Sequence, residues 1–228
     1  MSKTNKKILT VAICAAFVVC AVIGGTIAYL QDTESVENTF TVGRIGITLD
    51  EAKVNTDGEP TDEENNPVSL ADAPRVYGNE YKLIPGHSYT KDPTVHVDAD
   101  SEECYVRMLV TVNNQEVLDG IFAGSGSAGD LTSIFTGYDP SKWELVNAHP
   151  HIEHDERVYE FRYYTKLPAS AEVQNLEPLF DGFTLPKFIT GDHLGQLKDF
   201  RIKVEAHAIQ ADGFADAAEA WDAFTGTV

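Results

Sequence analysis

Residues 149–156, His149-Pro150-His151-Ile152-Glu153-His154-Asp155-Glu156, hold the densest run of metal-capable side chains in this sequence. Three imidazoles and three carboxylates within eight residues could ligate zinc or another transition metal. His149, His151 and His154 are the candidate ligands. The chain has no His-Glu-x-x-His, however, the helical spacing that sets two histidines and a general-base glutamate on one face. Pro150 and the strand-like flanks place the stretch in a loop or hairpin, where a solvated His- and acid-rich turn is the plainer expectation.

Other chemistry is weaker. The acidic runs 98–103 and 57–64 offer oxygen ligands suited to calcium, but neither has the EF-hand spacing, so solvated faces with at most weak calcium binding are expected. Cys104 precedes an apolar strand and reads as a small core residue. There is no Gly-x-Ser-x-Gly elbow, and the Gly/Ser run 124–129 lacks the Lys-Ser/Thr ending of a phosphate loop. Trp143, Tyr159, Phe161, Tyr163 and Trp221 stand at strand or helix spacing, so packing is expected before an aromatic glycan shelf. No catalytic residue is assigned, and no cofactor beyond weak zinc or calcium.

The elements that must position these residues read mostly as β. Residues 44–49 alternate, with Ile45, Ile47 and Leu49 on one face. Residues 105–112 are β-branched and apolar on nearly both faces, as in a central strand. Residues 158–164 put Tyr159, Phe161 and Tyr163 together, and 200–208 alternate apolar with charged. Shorter strands are expected at 94–97, 143–146 and 182–185. Helical turns are expected at 115–122 and 130–135, on either side of the Gly/Ser run. A closing helix is expected at 215–224, with Ala217, Ala220, Trp221 and Phe224 on one face. The sum is an all-β fold: an antiparallel, jelly-roll-like β-sandwich with short helical insertions in its loops and a C-terminal helix.

The first fifty residues are organised differently. Lys3, Lys6 and Lys7 precede an uncharged apolar run over 8–28 that ends in small residues, the pattern of an export signal. Its length also suits a retained anchor, but Thr26 and Ala28 favour cleavage between Ala28 and Tyr29, and the polar, acidic continuation suits an outward-facing side. Cleavage removes Cys14 and Cys20, leaving Cys104 alone and no intramolecular disulfide. It also leaves 14 of 17 basic residues against all 36 acidic ones, a net charge of −22. Such a charge argues against nucleic acid as a partner. The chain then divides into a signal peptide (1–28), an N-terminal segment and first strand (29–50), an acidic flexible loop (51–80) and the remainder of one β-sandwich domain (81–228). Membrane contact is expected only through an uncleaved leader.

The leader end Gly-Gly-Thr-Ile-Ala-Tyr-Leu-Gln-Asp-Thr-Glu (24–34), followed by Asn-Thr-Phe-Thr-Val-Gly-Arg-Ile-Gly-Ile-Thr-Leu-Asp (38–50), resembles the TasA/camelysin family of Gram-positive bacteria. Leu83-Ile84-Pro85-Gly86 with Lys91 and Val95, and the closing run from Val204 to Phe214 with Trp221, resemble it further on. The resemblance implies a leader cut by a SipW-type signal peptidase and a secreted jelly-roll subunit that self-associates into extracellular biofilm-matrix fibres. It implies that residues 29–43 of one subunit complete the sheet of the next, with Phe40 and Val42 as anchors. The same segment could instead fold back as the first strand of its own monomer. The resemblance also brings a metallopeptidase reading, since camelysin-like proteins are so classed. A monomeric accessory or adhesion module, or an anchoring partner for the fibre, completes the set of expectations.

Overall fold

The computed structural model describes residues 43–126, 131–151, 155–197 and 199–224. They belong to a compact unit, Gly43–Val228. Its strands are β1 (Ile47–Ala52), β2 (Arg75–Val76), β3 (Ser88–Thr90), β4 (Thr94–Val97), β5 (Cys104–Asn113), β6 (Phe135–Thr136), β7 (Trp143–His151), β8 (Glu156–Tyr163), β9 (Gln174–Asn175), β10 (Gly182–Thr184) and β11 (Ile202–Gln210). Three short helices, α1 (Gln115–Gly124), α2 (Gly191–Leu194) and α3 (Ala217–Ala223), and 3-10 turns at Leu70–Asp72 and Leu131–Ile134 lie between or after them. The all-β class, the helical insertions and the C-terminal helix are as the sequence predicts.

The strands form three antiparallel sheets in the orders β2-β1-β4-β9, β3-β10-β6 and β11-β5-β8-β7. β5 is the spine of the largest, paired with β11 from Cys104 to Val112 and with β8 from Arg107 to Asn113. One face of β5 carries Cys104, Val106, Met108, Val110 and Val112, all buried. They meet Val95 and Val97 of β4, Tyr159 and Phe161 of β8, Phe183 of β10 and the loop residues Leu176, Leu179 and Phe180 in one core. Trp143 joins it from β7, edge-on to Tyr163 at 5.0 Å, with its indole N–H donating to the Glu177 carbonyl at 3.0 Å. Burying an indole without such a partner would carry a desolvation cost.

The acidic segment after β1 is laid out as two bridged turns, Val54 opposite Pro60 and Thr61 opposite Pro67. Lys53 Nζ donates to the carbonyls of Asp62 and Glu63, drawing the turn inward.

Two side-chain devices brace the core at its surface. Lys142 Nζ donates to Glu177 at 2.6 Å, and the Tyr163 hydroxyl donates to the same carboxylate. These bonds pull the Glu177 pKa down to about 2. A carboxyl lowered on folding stabilises above its ordinary range, and that contribution is lost as pH falls. Glu177→Gln should therefore lower the thermal midpoint at neutral pH, with the gap from wild type closing as pH falls from about 4.5 toward 2. Thermal melts across that range measure it.

Gly182 answers a steric demand. A Cβ there would lie 2.2 Å from the Tyr89 carbonyl oxygen on β3. Gly182→Ala should force β3 and β10 apart and cost about 1–3 kcal/mol, read by chemical denaturation.

Candidate functional site: an open seam between two strands

His149 and His151 are strand residues of β7, opposite Val158 and Glu156. His154 lies outside the described residues, as do the side chains of the other two histidines. The neighbouring acids have structural partners: Asp155 Oδ1 accepts from the Glu116 amide at 2.8 Å at the start of α1, and Glu156 accepts from Arg201 at 2.7 Å. Among the described residues no group of three or more His, Cys, Asp or Glu side chains is gathered as a metal would need. The acidic runs are used locally as well. Asp62 accepts from the Asn66 side chain and from the amides of Asn66 and Glu64, and these bonds hold its carboxyl below the usual range. Cys104 is fully buried, and burial followed by Glu103 pushes its thiol up to about 11, away from the thiolate form that reacts. Ala28, Tyr29, Phe40 and Val42 lie outside the described residues.

A groove of about 650 Å³ lies between β1 and β11. Leu49, Asp50 and Glu51 form one wall and residues 200–204 the other, while Tyr77–Tyr81 cross one end. Its origin is topological. β1 pairs with β4 along Ile47–Asp50 but with β2 only at Glu51 and Ala52, and among the described residues β11 pairs only with β5. The two sheets thus approach each other edge to edge without joining.

The core is thinly covered at this seam. Ile47 and Leu49 of β1, and Ile202, Val204, Ala206 and Ala208 of β11, face the core but are only partly buried, whereas Val95, Val97, Val106 and Val110 one strand inward are at 0% exposure. Half-covered apolar rows beside free strand edges are what an added strand completes, through main-chain hydrogen bonds and alternate side chains.

The far edge of the large sheet is finished otherwise. The Tyr138 hydroxyl accepts from the Leu145 amide at 3.2 Å and donates to the Trp143 carbonyl at 2.6 Å, occupying edge groups of β7. A register shift between Leu145 and Asn147 then bends the strand. A side-chain cap and a bulge are both means of discouraging edge pairing.

One end of the groove is polar and rigid. Lys91 and Glu51, both buried, form an ion pair. Asn79 Nδ2 donates to Glu51 at 2.8 Å and to the Ala52 carbonyl at 2.9 Å, while its Oδ1 accepts from the Val54 amide at 2.9 Å. Tyr81 donates to the Thr90 carbonyl at 3.0 Å, and burial, then Glu51 and Asp92, raises its pKa. Next to it, Arg75 bridges Asp50 and Asp92. Lys91 and Glu51 stand 40 residues apart in sequence, so no local spacing signals their pairing.

Removing one partner of a buried pair strands the other charge. Lys91→Ala should cost about 3–5 kcal/mol, and Lys91→Met with Glu51→Leu should recover much of it. A denaturation comparison of the single and double variants checks this.

No curated protein and no solved structure gives a significant match to the chain. Residues 3–63, roughly a quarter of the sequence, match the family model described as camelysin metallo-endopeptidase, which supports the resemblance of that N-terminal stretch to the TasA/camelysin family.

Proposed function

We propose that this protein is an exported, non-enzymatic subunit of extracellular fibres, in which residues 29–43 of one copy add a strand along the β1–β11 seam of the next. The observation that carries the reading is the pairing of free edges with half-covered apolar rows at one seam, set against a capped and bulged β7. Residues 36–42 suit such a role: Val36, Phe40 and Val42 recur at even positions, so they share one face of an extended strand. A head-to-tail contact of this kind does not close on itself and propagates as a filament. Export through the leader at 1–28, cleaved by a SipW-type peptidase after Ala28, frees the donating segment. Among the described residues no helix is long and apolar enough to cross a membrane.

The family description carries a metallopeptidase reading. The described residues do not gather a metal-holding set, so no hydrolytic step is derived. Metal analysis and casein cleavage by a variant with His149, His151 and His154 all changed to Ala test it directly; loss of cleavage with loss of bound metal would establish the peptidase.

Strand donation is tested by mixing two variants with one added cysteine each, Phe40→Cys and Ala206→Cys, under mild oxidation, the native Cys104 being buried. Disulfide-linked dimers of the mixed pair, and loss of fibres in electron micrographs when residues 29–43 are deleted, are the expected results. Fibres that persist after the deletion would falsify donation by this segment. Cross-links that form only within one chain carrying both cysteines would show an ordinary first strand instead.

A further inference from the structure

The outer face of β5 is charged where its inner face is dry. Arg107, buried, is flanked in register by Arg162 of β8 and His207 of β11. Its guanidinium lies over Trp221 of α3 at 4.6 Å and over Phe224, just past the helix, at 4.8 Å. The His207 ring stacks on Phe224 at 5.0 Å, inclined by 26°. α3 is thus held by a cation and an imidazole against two aromatic rings.

The hydrogen bonding of this contact depends on one proton. Arg107 Nε donates to His207 Nδ1 at 3.2 Å, which requires a lone pair on that nitrogen and therefore a neutral ring. A proton on Nδ1 would set N–H against N–H and a second positive charge beside the guanidinium. Every charged neighbour weighs in. Glu160 of β8 and Glu205 of β11 favour the imidazolium. Glu160 is already shared between Arg107 at 3.4 Å and Arg162 at 2.8 Å, and Glu205 is paired with Lys203. The acids of α3 are turned elsewhere: Glu219 accepts from the Ala215 amide, Asp216 caps the helix, and Asp222 is exposed. Burial, then Arg107, lowers the His207 pKa.

The docked state also carries costs. Among the described residues, Arg107 Nη2 and Trp221 Nε1 are both buried without a hydrogen-bond partner, and such groups penalise the state that buries them. α3 spans only seven residues, Ala217–Ala223, too few to be stable apart from its packing.

We propose that α3 is an acid-released latch: protonation of His207 breaks its bond to Arg107 and frees the helix from the outer face of β5 and β11, while the sandwich stays folded. Release uncovers the Arg107 guanidinium and two aromatic rings on an otherwise acidic protein.

Acrylamide quenching of tryptophan fluorescence against pH tests the latch, because the chain's two tryptophans are both buried, Trp143 in the core and Trp221 on α3 against Arg107 of β5. Wild type should gain one quenchable tryptophan as pH falls, with a midpoint below the ordinary histidine value of about 6.5, while Trp143 stays shielded. His207→Gln, which keeps an acceptor but cannot be protonated, should lose the transition. Phe224→Ala should be quenchable throughout. A transition of unchanged midpoint in His207→Gln, no transition in wild type, or simultaneous exposure of both tryptophans overturns the proposal. Should His207→Gln fail to fold, amide exchange of the wild type replaces it: acid acceleration confined to α3 supports the latch, and flat or chain-wide exchange refutes it.

Discussion

A strand buried on both faces must satisfy two environments at once, and β5 does so with opposite chemistries. Its inward row is a file of apolar side chains at or near zero exposure, around which all three sheets pack. Its outward row puts Arg107 where water is excluded, and the charge is tolerated only because Glu160, His207 and two aromatic rings surround it. Burying an arginine is costly unless it is paired, so the C-terminal helix is the cover that this strand's charged face requires. The fold's terminal element and its central strand are thereby one structural problem.

The edges of the sheet follow the same logic of unmet demands. β7 has its edge groups answered by a tyrosine hydroxyl and its line broken by a bulge. β11, among the described residues, has neither. The contrast makes the β1–β11 seam a feature of construction rather than a gap left by loose packing, since the polar end of the same groove is tightly satisfied by Asn79, Lys91 and Glu51.

Much of this architecture was legible from residue order. Residues 94–97 coincide with β4, residues 105–112 fall inside β5, and the face predicted for the last helix contains the buried Ala220 and Trp221. Those segments carry a period long enough to be read. β2, β6 and β9 are two residues each and β3 three, too short for any period, and they exist because a neighbouring strand supplies their hydrogen bonds. The first strand begins at Ile47 rather than Arg44 because residues 44–46 bond to the 98–102 loop, through Glu102 N to the Arg44 carbonyl and Asp98 N to the Gly46 carbonyl. The seam was the least legible part. Lys91 and Glu51 carry no mutual signal across 40 residues, and an unpaired edge is a property of topology, invisible until strand order is known. Of the histidine run, conspicuous in sequence, His149 and His151 fall at the end of β7, and the acids that follow, Asp155 and Glu156, are engaged by the Glu116 amide and by Arg201.

The single hydroxyl of Tyr138 gives the molecule a direction. With one edge of the large sheet occupied and the other unpaired among the described residues, a linear array built by the proposed strand addition would have two unlike ends, one presenting an open seam and one presenting the donating segment. Growth at such ends need not run at the same speed, and a monomer that lacks only the segment would cap one end while leaving the other to extend.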